Sequence, residues 1–180
     1  MSHFTTVSEE IRQTIVDVKD FPKPGILFKD VTPIFSNPEL CTNIISELKE
    51  HYSKEGIEYV IGLESRGFLL GMPLALALNV PFVMVRKKGK LPRETYTVSY
   101  ELEYGTATVE LHKNAIREGA RVLIHDDVLA TGGTAEAAAQ LVKMSKATVC
   151  GFSFLISIEI LHGAKKLEQI GVPIHIFTPC

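Results

Sequence analysis

The stretch Val122-Leu-Ile-His-Asp-Asp-Val-Leu-Ala-Thr-Gly-Gly-Thr-Ala135 constrains the fold more than any other part of the chain. The β-branched apolar run Val122 to Ile124 suits a buried strand. Two adjacent acids follow, then Thr131 to Thr134 supply hydroxyls and unhindered backbone, and Ala135 to Met144 is rich in strong helix formers. The order predicts strand, loop and helix, with the helix beginning at the glycines. The first N–H groups of such a helix lack intrahelical partners and lie at its positive end, and Gly132 and Gly133 let an anion approach the backbone closely. Asp126 and Asp127 would repel that anion, but at the carboxyl end of a strand they can accept hydrogen bonds from vicinal hydroxyls or hold water around a divalent cation. A phosphorylated sugar satisfies both halves. A plain βα turn with Thr134 as its N-cap accounts for part of the same pattern.

Two familiar phosphate loops do not fit. The P-loop requires a Lys directly after its final Gly, where this chain has Thr134, and the dinucleotide G-x-G-x-x-G spacing is absent. With 180 residues the chain suits one domain that buries about 70% of its unfolded surface. Its 19 basic and 21 acidic residues nearly cancel, so nothing suggests capture by nucleic acid or an anionic membrane. Cys41, Cys150 and Cys180 form an odd, widely spaced set, and the six histidines show no metal-ligand spacing. With no apolar leader in Met1 to Ile15, these features predict a cytoplasmic protein. Gly67 to Val85 approaches the length of a membrane span, but Pro73 and Asn79-Val-Pro81 divide it into a buried helix and a strand, Phe82 to Val85.

Along the chain, Ile11, Ile15 and Val18 mark a surface helix over 9–18, and Phe21 to Asp30 reads as a rigid turn built on two prolines and a glycine. Phe28 in that turn is either a core residue or a stacking plate. Pro38 to His51 predicts an amphipathic helix, and Tyr59 to Leu63 a strand that opens a βαβ series. That strand ends in Glu64-Ser-Arg-Gly67; the next ends in a basic loop with Arg86, Lys87, Lys88 and Lys90. In an open parallel sheet these ends share one crevice with the acid pair, so the basic loop reads as an anion site, where Arg gives fork contacts and Lys point charges. Tyr96 to His112 alternates with period two around Gly105, a hairpin carrying Glu103 near its tip. Val149 to Ile158 and Val172 to Phe177 read as the last strands, with a helix through Leu161 to Ile170.

These motifs, taken in order from Phe21-Pro-Lys-Pro-Gly25 to the Asp-Asp-Val-Leu-Ala-Thr-Gly-Gly-Thr134 loop, resemble the type I phosphoribosyltransferases, and among them the adenine-specific branch. The resemblance implies an α/β fold with a mostly parallel central sheet flanked by helices, in a single domain over 1–180 with a mobile β-hairpin hood at about 95–112. It implies transfer of the phosphoribosyl group of 5-phosphoribosyl 1-pyrophosphate (PRPP) to adenine, with AMP and pyrophosphate as products. The implied 5′-phosphate cradle is Ala130, Thr131, Gly132, Gly133 and Thr134, and Asp126 and Asp127 hold the ribose hydroxyls. Ser65, Arg66, Arg86, Lys87 and Lys90 face PRPP, the basic residues binding its pyrophosphate, with room for one of them to come from a neighbouring subunit of a homodimer. Phe28 stacks on adenine, and backbone groups of Leu27 and Lys29 read its edge. Glu103 and Arg66 are the implied catalytic residues, with Tyr104 beside Glu103 in the hood. The implied cofactor is Mg²⁺, carried by PRPP and bridged by water to Asp126 and Asp127 rather than caged by the protein.

Ala130 separates two purine classes. The related loop of 6-oxopurine transferases has a second Asp there as general base, so proton handling in this chain falls to Glu103. His125, where the family usually has an apolar residue, and Lys146-Ala147, without the customary glycine, are minor departures. A PRPP-sensing regulator would need a DNA-binding segment, for which the residues before Phe21 are too few and the charge too neutral.

Overall fold

The computed structural model describes residues 6–101 and 105–180. Seven strands form the main sheet: β3 (Tyr59–Leu63), β4 (Phe82–Lys87), β5 (Thr95–Glu101), β6 (Thr106–His112), β7 (Arg121–Leu129), β8 (Thr148–Ser157) and β9 (Ile174–Pro179). Their order is β5-β6-β4-β3-β7-β8-β9. From β4 to β9 the neighbours are parallel, whereas β6 pairs antiparallel with both β4 and β5. Helices α3 (Pro38–Tyr52) and α4 (Gly67–Leu78) belong to one apolar core, together with α1 (Val7–Thr14) and the single turn α2 (Thr32–Phe35). Helices α5 (Gly133–Met144) and α6 (Gly163–Glu168) contribute to a second core. The expected mostly parallel sheet flanked by helices is what forms.

Strand β7 shows how the sequence feeds both cores. Val122 and Ile124 join the α5 core, while Leu123 joins the α3–α4 core, as a period of two requires. The strand runs further than its apolar run: Asp126 still pairs with Phe154 of β8, so the acids sit within the ladder rather than beyond it.

Two expectations at the N-terminal end change. Helix α1 stops at Thr14, and Val18 lies in β1 (Val16–Lys19), because β-branched Ile15, Val16 and Val18 fit a pleated strand better than a helix. The partner is β2 (Leu27–Asp30), the latter part of the segment read as a turn. Only residues 20–26 turn, with the Asp20 carboxylate accepting the Gly25 N–H at 2.7 Å. The 67–85 segment, read as a buried helix and a strand, does form α4 and β4, and no helix among the described residues is long and apolar enough to cross a membrane.

The 95–112 hairpin is present, with Tyr100 opposite Ala107 and Glu101 opposite Thr106. Its inner face, Tyr96, Val98 and Tyr100, packs against the α5 core. Glu103 and Tyr104 lie outside the described residues.

His125 is fully buried on β7, with Nδ1 3.2 Å from the Ser153 hydroxyl and no partner for Nε2. Burial pushes its pKa from 6.5 down to about 4, so the ring is neutral in the fold. Between those values the unfolded chain binds the proton and the folded chain does not. Stability contributed by this residue is therefore complete above about pH 6.5 and is lost as pH falls toward 4. Replacing His125 with Val together with Ser153 with Ala should shrink the drop in stability between pH 7 and pH 5, by up to about 2 kcal/mol at 1.36 kcal/mol per unit. Thermal or urea unfolding at the two pH values checks it, and an unchanged drop would remove His125 as the source.

Candidate active site

The parallel strands reverse their order at β3, which has β4 on one side and β7 on the other. Crevices open at such switch points, outside the carboxyl ends of the strands. Here β3 runs into Glu64, Ser65 and Arg66, and β7 carries Asp126 and Asp127. A cleft of about 910 Å³ lies over this point, lined by these five residues and by Leu27, Phe28, Lys29, Lys87 and Ala130. A smaller cavity of about 60 Å³ shares Asp126 and Ala130 and is lined by Thr131, Gly132, Gly133 and Thr134. The acid pair, the glycine loop, the post-β3 turn and the Phe28 segment thus come together.

Asp127 is 3% exposed, a position no lone carboxylate holds cheaply, and it forms an ion pair with Arg66 Nε. Asp126 is half-buried and accepts the Asp127 N–H at 3.0 Å. Burial and then the adjacent Asp127 charge push its carboxyl well above the ordinary range, with Arg66 opposing. Gly67, the first residue of α4, lets the helix start flush against this carboxylate: a Cβ there would stand 2.7 Å from Asp126 Oδ1.

The basic loop after β4 is organised by two acids. Glu64 accepts the Lys87 N–H at 2.8 Å and Arg86 Nε at 3.2 Å. Burial raises its pKa, but the Lys87 and Arg86 contacts outweigh that and hold the carboxyl below its ordinary value. Glu110, 4% exposed on β6, accepts the N–H groups of Lys90 and Leu91 at 2.9 and 2.8 Å. Of the cluster, Lys87 lines the cleft. Arg86 points instead to Glu64 and to the Lys90 carbonyl, and Lys90 does not reach the cleft wall.

The glycine loop leaves the start of α5 without a side-chain cap. The N-cap of α5 is Gly132, left-handed at φ 78°, with no side chain capping the helix. Thr134 is not the N-cap: it is the second helical residue, and its hydroxyl lies 2.8 Å from the Tyr100 hydroxyl. The first-turn N–H groups therefore remain for an external acceptor. The loop is braced from behind by Gly163, the first residue of α6. A Cβ on Gly132 would stand 2.9 Å from the Gly163 carbonyl oxygen, and one on Gly163 would collide with the Ala130 carbonyl.

Sequence reasoning missed three contributors. Glu64 was taken only as part of a polar cluster. Gly163 was hidden in a segment read as helix from Leu161. The run Ile158 to Leu161 was read as the end of a strand and the start of a helix, yet Ile158, Ile160 and Leu161 line the cleft, and Ile160 is 80% exposed. An apolar run just past the carboxyl end of a central strand was the available signal.

The family model for the phosphoribosyl transferase domain matches residues 30–177. An adenine phosphoribosyltransferase of Yersinia pestis is 50% identical over 162 residues, covering 90% of this chain and 87% of that protein. The crystal structure of adenine phosphoribosyltransferase from Rhodothermus marinus superposes with a TM-score of 0.90 at 50% identity, covering 97% and 98% of the two chains. The chain belongs to the adenine phosphoribosyltransferase family. A further relative, the Saccharomyces cerevisiae adenine phosphoribosyltransferase complexed with an imino-altritol 1,6-bisphosphate and adenine, has a TM-score of 0.88 at 43% identity, covering 95% and 98%.

Because both neighbours of Gly163 in the brace are backbone, a methyl group there has nothing flexible to displace. Gly163→Ala should move the glycine loop and weaken ribose 5-phosphate by at least about tenfold, that is 1.4 kcal/mol, while adenine binding is retained. Isothermal titration with each ligand checks this; equal affinity for ribose 5-phosphate would show that the brace is not needed.

Proposed function

We propose that the protein performs purine salvage, transferring the 5-phosphoribosyl group from PRPP to adenine to give AMP and pyrophosphate. The observation that supports this reading is the adjacency of the cleft and the smaller cavity, which share Asp126 and Ala130, so that an aromatic edge segment, an acid pair and an uncapped helix start follow one another in the order base, ribose, phosphate. The yeast relative holds adenine and a bisphosphate together.

Each end of the cleft has a physical task. Phe28 is half-buried, lines the cleft and is braced edge-on by Phe21 at 5.1 Å, which favours a stacking plate over a core residue. Ile158, Ile160 and Leu161 supply further apolar wall. Strand β2 is paired along one edge by β1, and the Lys29 ammonium is tied to Asp17 at 2.8 Å, so Leu27 and Lys29 meet the base through backbone groups. Asp126 and Asp127 accept from the ribose hydroxyls, and the loop 130–134 receives the 5′-phosphate. Ser65, Arg66 and Lys87 line the route of the leaving pyrophosphate, with Arg86 and Lys90 assigned to the same group from the loop behind. Holding the reactants in line and excluding water lowers the barrier to separating charge at the anomeric carbon.

Mg²⁺ fits the donor set, since carboxylate and phosphate oxygens are its preferred ligands. When bound it would draw negative charge from the pyrophosphate oxygens. Ala130 places no carboxylate between the subsites, so the proton released from adenine N9 is assigned to Glu103, with Tyr104 beside it. Reducing conditions suit the three free thiols, and we assign the protein to the cytoplasm.

With PRPP and Mg²⁺, adenine should be converted to AMP, and hypoxanthine and guanine should be poorer by up to roughly 10⁴, because their reversed donor pattern leaves buried backbone groups unpaired. A purine panel followed by chromatography of the nucleotide products checks it; comparable turnover of hypoxanthine would reject the assignment.

We also propose a homodimer. Leu69, Met72 and Leu76 of α4, spaced along one helix face, are 51%, 44% and 68% exposed. Beside them Phe35, Cys41, Ile45 and Pro73 line an apolar groove of about 430 Å³. A second copy of the chain is the occupant that closed symmetry provides. Sedimentation should give a dimer for the native protein and a monomer for Leu76→Glu; a native monomer would remove the proposal.

A further inference from the structure

Tyr100 is the residue in which the hairpin and the phosphate loop meet. Its hydroxyl is 2.8 Å from Thr134 Oγ1. Its ring covers Gly133 so closely that a Cβ there would stand 2.9 Å from Tyr100 Cδ2 and 3.3 Å from Cε2. The register of the hairpin fixes this placement, since Tyr96, Val98 and Tyr100 share the face turned toward α5. Gly133 and Thr134 are the first two residues of that helix, whose N-cap offers no side chain of its own.

The chemistry of two hydroxyls gives the contact a direction. A hydroxyl has one proton to donate and two lone pairs to accept with. A phosphate oxygen only accepts, so Thr134 must spend its proton on the phosphate when the cradle is filled. The Tyr100–Thr134 bond can then exist in one sense only, with the phenol donating and Thr134 accepting. A donor that is itself a hydrogen-bond acceptor is polarised and binds more strongly. We propose that Tyr100 is a positioning residue of the 5′-phosphate subsite: its phenol turns the Thr134 proton toward the phosphate, and the same bond holds the hairpin down on the filled cradle. This rests on the reading that Thr131 to Thr134 receive the 5′-phosphate.

Phosphate occupancy and hairpin docking are then linked and reciprocal. An empty cradle leaves the bond free to run in either sense, whereas a filled one fixes it. The hairpin is thereby seated by the 5′-phosphate end of the substrate, some way from the reacting atoms.

Tyr100→Phe keeps the ring over Gly133 and removes only the hydroxyl. Titration calorimetry on the full chain should show ribose 5-phosphate binding about three- to tenfold more weakly, the range of one hydrogen bond. Pyrophosphate affinity should stay as in the native protein, the thermal midpoint should fall by no more than the roughly 2–4 °C that one hydrogen bond is worth at this size, and in steady-state assays the KM for PRPP should rise more than that for adenine. Thr134→Val, which keeps the shape and the backbone N–H, should also weaken ribose 5-phosphate, and Tyr100→Phe should then add nothing further. Three results overturn the proposal. The first is unchanged ribose 5-phosphate affinity in Tyr100→Phe. The second is a loss shared equally with pyrophosphate and a thermal midpoint that falls further than this, the mark of a packing role. The third is additivity of the two substitutions, which would show that the phenol does not act through Thr134. If Thr134→Val itself binds ribose 5-phosphate normally, the cradle assignment fails as well.

Discussion

The cleft depends on a contact between two backbones. The turn from β7 to α5 leaves its peptide groups bare, with no capping side chain, and such a turn would not hold one geometry alone. What holds it is the first residue of α6, pressed against Ala130 and Gly132 where neither Gly132 nor Gly163 has room for a Cβ. On its other side the loop meets the Tyr100 ring. The loop is therefore held by steric contact and by the Tyr100–Thr134 hydrogen bond, which leaves the N–H groups at the start of α5 without a side-chain cap. The ion pair between Lys166 of α6 and Glu136 of α5, at 2.9 Å, joins the same two helices, though at an exposed position its contribution is small.

Charge in the cleft is arranged as mutual templates. Arg66 answers Asp127, Glu64 answers Arg86 and the Lys87 N–H, and Glu110 folds the Lys90 loop back on itself. Asp126 is the exception. It is pressed between burial and its acidic neighbour, with only the Asp127 N–H and a distant share of Arg66 to relieve it. Such a carboxylate is a cost to the free protein and an asset once hydroxyl donors arrive, the trade between stability and activity that functional sites commonly make.

How much of this was legible follows from the range of each signal. The β7–α5 region could be read because strand, acids, glycines and helix are adjacent in sequence and each has a local physical cause. Parallel strands and their polar carboxyl ends could be read for the same reason. What escaped depends on contacts across long separations. That Val18 belongs to a strand needs its partner Phe28 as well as the β-branched residues around it. That Arg86 turns to Glu64 rather than into the cleft is decided by β3 lying beside β4. Gly163 falls inside the segment whose sequence reads as helix from Leu161, and only the backbone of Ala130 and Gly132 that it touches sets it apart. The sequence showed Phe28 to be apolar but not which of its faces would be covered, and Phe21 decides that by standing edge-on to it.

The switch point at β3 also has a consequence for how such a protein can change over time. The walls assigned to the base, residues 27–29 and 158–161, come from segments far apart in the chain from one another and from the loop at 130–134. Both lie at the rim, outside the ladders of the main sheet, the first in the separate β1–β2 pair and the second past the end of β8, whereas the acids lie within the hydrogen-bonded ladder of a central strand. Substitutions in the rim segments can therefore reshape that wall of the cleft without disturbing the strand register that positions Asp126 and Asp127. The fold holds the transfer chemistry constant and leaves the identity of the acceptor open to drift.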